Sequence, residues 1–332
     1  MVRLSDFLLR QTTPGFGALV FAAPSGRTSI ESNSAAPLAS PHGVYTALLE
    51  ECNQVLEQVR QLEPLSIRHL MDLTARLVRL LPDQPDAFRH LALDTKCSFS
   101  LASHGVNVAI LTVHLGLELG IRNDRLEAMA LAGLLNDIGM ATLADVAQTP
   151  SLLGPWQLTR IREHPWLAER ILARCADVPD SVREFVLHEH ERVDGSGYPQ
   201  RLAGEKISED AQLIGLIDVY EALTHDRPHR KALLSSEALR SILQDHRSAF
   251  GRQLLRGLLE IVPIYPVGSW VELNGGRLAK VVDADKRRRL SPTICILTDE
   301  KGALLAHPQT VSLAHDTRLH IVRSIPEPSP TN

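Results

Sequence analysis

The chain has 332 residues, enough for two or three domains and a sizeable core. Its 35 Lys and Arg stand against 39 Asp and Glu, a net charge of −4, which argues against the global basic field that gathers nucleic acid. Four scattered cysteines (Cys52, Cys97, Cys175, Cys295) lack zinc-ribbon spacing and fit a reducing compartment, and no apolar run reaches the roughly 18 residues that span a bilayer.

In chain order, residues 1–40 hold Pro14, Gly15, Gly17, Pro24 and a small, polar run from Ser29 to Ser40, a composition that predicts irregular or disordered chain. The early Asp6 and the want of a sustained apolar core do not make a signal peptide, so a cytoplasmic protein is expected. Residues 41–98 carry helical patterns, clearest in VYTALLEECNQVLEQVRQL, with Pro64 as a stop. They read as an auxiliary helical segment, and the pattern leaves open whether its apolar stripe faces the same chain or a second copy in a homodimer. Residues 99–260 are again helical by period. From 261 to 326 the period falls to two, with turn signals at Asn274-Gly275-Gly276 and Asp299-Glu300-Lys301-Gly302. That segment predicts a small antiparallel β-barrel or sheet of four or five strands, so the fold class is mainly α with a β appendage. The run Lys286-Arg287-Arg288-Arg289 reads as a solvated hairpin tip, since it lacks the interleaved aromatics of a nucleic-acid surface.

Within 99–260, ionisable residues fall where the period calls for core. Leu101, His104, Val108, Leu111 and Leu115 share one helical face, which puts His104 inside. Leu126, Ala130, Gly133 and Asp137 do the same in a segment (LEAMALAGLL) that is apolar nearly all round. In SVREFVLHEHE, Val182, Phe185 and Val186 point Glu189 and His190 inward, with His188 beside Glu184 on the outer face. Asp218 sits mid-way along AQLIGLIDVYEAL, and His164 precedes Pro165, a residue suited to the first turn of a helix. One buried histidine is usually a satisfied core residue. Five such groups converging on one interior call for a common reason, because an unpartnered buried charge costs several kcal/mol. Imidazoles and carboxylates together are the usual donors for zinc, iron or manganese.

The loop Asp194-Gly195-Ser196-Gly197-Tyr198-Pro199, followed by Gly204-Glu205-Lys206-Ile207 and LIDVYEALTHDRPHR, resembles the HD-GYP branch of the HD-domain metal phosphohydrolases over about Leu101 to Phe250. The resemblance implies an all-helical domain holding divalent ions, iron or manganese foremost, that hydrolyses cyclic di-GMP to pGpG or GMP. It further implies that His104, Asp137, His164, Glu189, His190 and Asp218 are the metal positions. Asp137 would be the bridging ligand and catalytic polariser of water. Arg227 and Arg230 would hold phosphate oxygens beside the Tyr198–Pro199 turn, with Gly195 and Gly197 supplying unusual backbone angles.

Two ligand positions depart from the family pattern, and two neighbouring positions also differ from many of its members, Met140 as in a sub-branch of the family. The His-Asp pair reads Asn136-Asp137, the His-His pair reads Glu189-His190, the lysine that often follows is Met140, and a glutamate before the early His is Ser100. A carboxylate at 189 can replace an imidazole on a hard ion, whereas the neutral Asn136 amide is a poor ligand. One ion is therefore expected to bind and a second is compromised. The leading expectation is a cyclic-di-GMP signalling protein that keeps ligand binding with weak or lost hydrolysis. The alternatives are an active phosphodiesterase, or a metal-free scaffold that binds other signalling proteins through the GYP loop or the β appendage.

Overall fold

The computed structural model describes residues 38–94, 100–143, 154–227, 230–284 and 288–328. The expected irregular stretch before residue 38, Cys97, and Lys286 and Arg287 of the basic run lie outside the described residues. Among the described residues eleven α-helices come first: α1 (Pro41–Arg60), α2 (Arg68–Leu80), α3 (Pro85–Ala92), α4 (Leu101–Glu118), α5 (Asn123–Leu135), α6 (Pro155–Ile161), α7 (His164–Leu172), α8 (Asp180–His188), α9 (Glu209–Thr224), α10 (Ser235–Asp245) and α11 (Arg252–Ile261). Five strands follow: β1 (Trp270–Leu273), β2 (Leu278–Asp283), β3 (Thr293–Thr298), β4 (Leu304–Ser312) and β5 (Ile321–Ile325). No helix among the described residues is long and apolar enough to cross a membrane.

Local chemistry sets the ends of the site-bearing helices. Ser40 caps α1, accepting from the Gly43 amide at 3.1 Å, and Pro41 fills the first turn, where no amide partner is needed. Ser100 caps α4 reciprocally with Ser103: each hydroxyl accepts from the other's backbone amide at 3.0 Å. Helices α4 and α9 are buried nearly all round, so their polar residues have nowhere to go but inward. One apolar core runs from Val44 to Val262; α1–α3 contribute Leu48, Leu77 and Phe88 to it, and Ile67 joins it just before α2.

The sheet has its own smaller core of Val271, Leu273, Ala279, Val281, Ile294, Ile296 and Leu313. Its order is β4-β3-β2-β1-β5, antiparallel throughout. Strands β1–β3 bury every second residue, as the period of two requires. The barrel alternative is corrected here: the sheet is open, with β4 and β5 as its two edges. Strand β4 is exposed along most of its length and carries Pro308, which has no amide to donate to a further strand and is tolerated at an edge. Arg289 of the basic run is paired at 2.7 Å with Glu260 of α11, tying the β segment to the helical unit.

Candidate metal centre

Each expected donor reaches the interior from a different element. His104 is on α4 and fully buried. Asn136 and Asp137 follow α5, where the helix tightens into the 3-10 turn Ile138–Thr142. His164 opens α7 with Pro165 in its first turn, Glu189 and His190 follow α8, and Asp218 lies in the middle of α9. Two glycines let these backbones touch. A Cβ on Gly139 would overlap the His164 carbonyl oxygen, and one on Gly215 would overlap the Glu189 carbonyl oxygen.

The side chains converge. His104 Nε2 lies 3.0 Å from Asp218 Oδ1 and 3.5 Å from Asp137 Oδ2. His164 Nε2 is 3.5 Å from Asp137 Oδ1 and 3.8 Å from Glu189 Oε1. His190 Nε2 is 3.0 Å from His164 Nε2 and 3.1 Å from Glu189 Oε1, and its Nδ1 is 3.9 Å from Asp218 Oδ2. All six expected metal positions thus meet in one interior. Two subsets, Asp137 with His164 and His190, and Glu189 with His190 and Asp218, have candidate ligand atoms within 4.8 Å of one another. His104 stands just outside both, on the Asp137–Asp218 side.

Hydrogen bonding fixes which way the rings present themselves. His164 Nδ1 is 2.7 Å from the Ile161 carbonyl oxygen, which only accepts, so Nδ1 carries the proton and a neutral ring turns its Nε2 lone pair to the cluster. His104 Nδ1 faces the Glu221 carboxylate in the same way, an arrangement that orients metal-binding imidazoles. Both oxygens of the fully buried Glu189 lack a hydrogen-bond partner among the described residues, since the 3.1 Å approach of His190 is not aligned for one. Lone pairs and carboxylate charge aimed at one another repel unless a cation sits between them, and the mixed donor set suits iron, manganese or zinc. The residues present fit a divalent ion.

Protons supply part of that positive charge in the metal-free protein. Burial opposes ionisation of His104, yet the Glu221 and Asp218 carboxylates push its pKa up to about 10. His164 is also raised against the effect of burial, by Glu189 and Asp137. His190 is driven well below the usual histidine value by burial and then by His164. Burial, followed by the charge of Asp218, raises Glu189 to about 7. Asp218 and Glu221 stay ionised despite burial because His104 faces both, Glu221 being held near about 2.

Asn136, Ser100 and Met140, the positions expected to differ from the family pattern, have visible local roles. Asn136 is fully buried and its Oδ1 accepts from the Asp137 amide at 2.8 Å, which turns that oxygen to the backbone; its Nδ2 finds no partner among the described residues. Ser100 is the α4 cap, and Met140 is half-buried in the 3-10 turn.

Around the mouth, the Tyr198 ring stacks on His190 with centroids 4.6 Å apart, and the Tyr198–Pro199 peptide is cis. Gly195 has the expected positive φ of 75°, but Gly197 does not; it is needed because a Cβ there would strike the backbone of His190, Glu191 and Arg192. His188 is half-buried with Nδ1 enclosed, rather than on an open outer face. Arg227 lies close enough for its charge to act on His104, His190, Asp218 and Glu221. Arg230 instead turns its guanidinium to the carbonyls of Ala222, Leu223 and Lys231, closing the C-terminus of α9.

Sequence reasoning missed Glu221 as the partner of His104, Asn107 as the partner of Glu221 at 3.1 Å, and Arg162, whose guanidinium lies 5.7 Å from the Tyr198 ring centre. The signal for the first was an acid one turn beyond Asp218 on a helix apolar nearly all round. Asn107 carried the equivalent signal one turn after His104.

Comparison with known proteins bears on the family and the fold. The family model described as HD domain matches residues 77–254, and one described as KOW domain associated with HD domain matches 270–329. The cyclic di-GMP phosphodiesterase PA4108 of Pseudomonas aeruginosa is 32% identical over 261 residues, covering 78% of this chain and 63% of the relative. The cyclic di-GMP phosphodiesterase PdeB of Borreliella burgdorferi is 30% identical over 192 residues, covering 58% of this chain and 50% of the relative. The chain thus spans less than two thirds of either. Among solved structures, Bd1817, an HDG"Y"P protein from Bdellovibrio bacteriovorus, superposes with a TM-score of 0.55 at 17% identity, over 69% of this chain and 73% of that one, which speaks for the shared fold. The chain belongs to the HD-domain family and is related to its HD-GYP cyclic-di-GMP phosphodiesterases.

Proposed function

We propose that the protein holds a divalent ion, iron or manganese, in the Asp137, His164, Glu189, His190 and Asp218 cluster, with His104 completing the set. At that centre it binds a cyclic dinucleotide of the cyclic di-GMP type and hydrolyses it slowly or not at all. The observation that carries the reading is Glu189: two buried, unpartnered oxygens beside two imidazole nitrogens are stable only next to positive charge. The relatives named as cyclic di-GMP phosphodiesterases supply the ligand class.

A bound divalent ion would lower the pKa of water and screen the phosphodiester charge. The chain's own groups divide the rest of the work. Asp137 orients the attacking water and takes up its proton, Arg227 neutralises a non-bridging phosphate oxygen, and Tyr198 with Pro199 shapes the mouth. The weak step is charge stabilisation. Asn136 has its oxygen committed to the Asp137 amide, and Met140 brings no charge, so on this reading a second ion is held weakly and Arg227 has no second cation beside it at the transition state. A deficit of a few kcal/mol there slows turnover by several orders of magnitude.

The test is calorimetric titration of metal-replete protein with cyclic di-GMP, beside chromatographic detection of pGpG and GMP. Saturable binding with little product supports the proposal. Rapid hydrolysis that disappears in Asp137→Ala would replace it with the active-enzyme reading. No binding, with or without manganese or iron, would leave the protein-binding scaffold.

A further inference from the structure

The polar interior does not end at His104. Glu221 Oε2 receives the His104 Nδ1 proton, Glu221 Oε1 accepts from Asn107 Nδ2 at 3.1 Å, and Asn107 Oδ1 accepts from the Tyr45 hydroxyl at 3.2 Å. Asn107 and Glu221 are buried, whereas Tyr45 is half-buried at the inner edge of α1. Tyr45 precedes residue 77, where the match to the HD domain model begins. A helix outside that match therefore reaches a metal-facing histidine through three consecutive hydrogen bonds.

The bonds have a definite direction. The Tyr45 hydroxyl can donate to Asn107 only if the amide turns its oxygen outward, which turns its NH2 toward Glu221. Glu221 is then held with one oxygen on Asn107 and the other on His104, so its charge is localised where it keeps the proton on Nδ1. With Nδ1 bonded to Glu221, Nε2 is the nitrogen that His104 turns to Asp137 and Asp218, 3.5 and 3.0 Å away, and the one that would meet an ion. The carboxylate also makes the ring a better donor, as acceptors behind metal-binding imidazoles generally do. His225 Nδ1 lies 3.2 Å from Glu221 Oε1 but is bonded to the Glu221 carbonyl oxygen at 3.1 Å, at the end of α9.

We infer that Tyr45, Asn107 and Glu221 are positioning residues through which α1 sets the orientation and donor strength of His104, and with it the affinity of the metal centre. The inference rests on the metal reading proposed above. Displacement of α1, by whatever moves it, would then weaken the ion without touching a ligand.

The experiment titrates full-length protein with Mn2+ alone by calorimetry and records the visible spectrum of the Co2+-loaded protein. Wild type is compared with Tyr45→Phe, Glu221→Gln and the double variant. Glu221→Gln is expected to weaken Mn2+ by about 10-fold to 100-fold. Tyr45→Phe keeps the ring and its packing and is expected to weaken it by about threefold to tenfold, with a shifted Co2+ spectrum. In the double variant the Tyr45→Phe effect shrinks or vanishes, because the carboxylate it acts through is gone. If wild type binds Mn2+ and Tyr45→Phe matches it in affinity and spectrum, or if the two effects simply add, the relay is overturned and the metal reading stands. If wild type takes up no Mn2+ or Co2+, the metal reading itself falls and the relay with it. Should Glu221→Gln fail to fold, Tyr45→Phe decides the matter alone.

Discussion

The two sides of the buried polar cluster are partnered very differently. On the His104 side, Glu221 is bonded to His104 and Asn107, and the chain of contacts continues to Tyr45. On the Glu189 side, neither Glu189 oxygen nor Asn136 Nδ2 has a hydrogen-bond partner among the described residues. A satisfied network rigidifies a site, while a half-satisfied one is stable only if something else completes it. The contrast separates what orients the centre from what requires a cation.

Four variants would break or sharpen that contrast, in descending order of expected effect on metal binding. Asp137→Ala removes the carboxylate that faces both His104 and His164, and Mn2+ affinity should fall by about two orders of magnitude or more, read by calorimetry. Glu189→Gln should weaken Mn2+ nearly as much, yet stabilise the metal-free protein at pH 8 by about 1–3 kcal/mol in urea denaturation, since it removes a buried charge that has no hydrogen bond among the described residues. A Glu189→Gln protein less stable than metal-free wild type would contradict the assignment.

The pH dependence follows from the same residue. Glu189 in the folded state is raised from 4.5 to about 7, so the folded protein holds the proton more tightly than the unfolded chain does. The stability of the metal-free protein therefore declines as pH rises from about 4.5 to about 7, and Glu189→Gln should remove that part of the decline. Equal slopes in the two proteins would sink this account of the Glu189 side.

Gly215→Ala acts through packing. The new methyl group meets the Glu189 carbonyl, and the clash should destabilise the protein by about 1–3 kcal/mol in thermal melts and weaken Mn2+ by moving the carboxylate. At the bottom of the scale, Ile294→Ala opens a cavity in the separate core of the sheet. It should cost about 2–5 kcal/mol there and leave Mn2+ affinity at the wild-type value.

Much of this arrangement was legible in the chain. Helical period placed His104, Asp137, His190 and Asp218 inside because each sits among neighbours that are apolar at the right spacing, and burial is a local consequence of that pattern, while Pro165 put His164 at the start of a helix. The period of two in 270–298 likewise foretold β1–β3. The closure of the sheet was not legible, because it depends on whether β4 has a second partner, and Pro308 with its exposed neighbours gives it none. The bond from His104 to Glu221 joins residues 117 apart, so it depends on how α4 and α9 are rotated against each other, which no local period encodes. Arg230 read as a phosphate contact by position; its guanidinium faces two carbonyls at the end of α9, those of Ala222 and Leu223, and that of Lys231, a placement set by how the chain turns after the helix.

The most direct test of the cation is the metal content of freshly isolated protein, prepared without oxygen and measured by plasma mass spectrometry beside Asp137→Ala. The account predicts about one equivalent of iron or manganese in the wild type and almost none in the variant. Well-folded wild-type protein that carries no transition metal, and takes none up on exposure to Fe2+ or Mn2+, would contradict it.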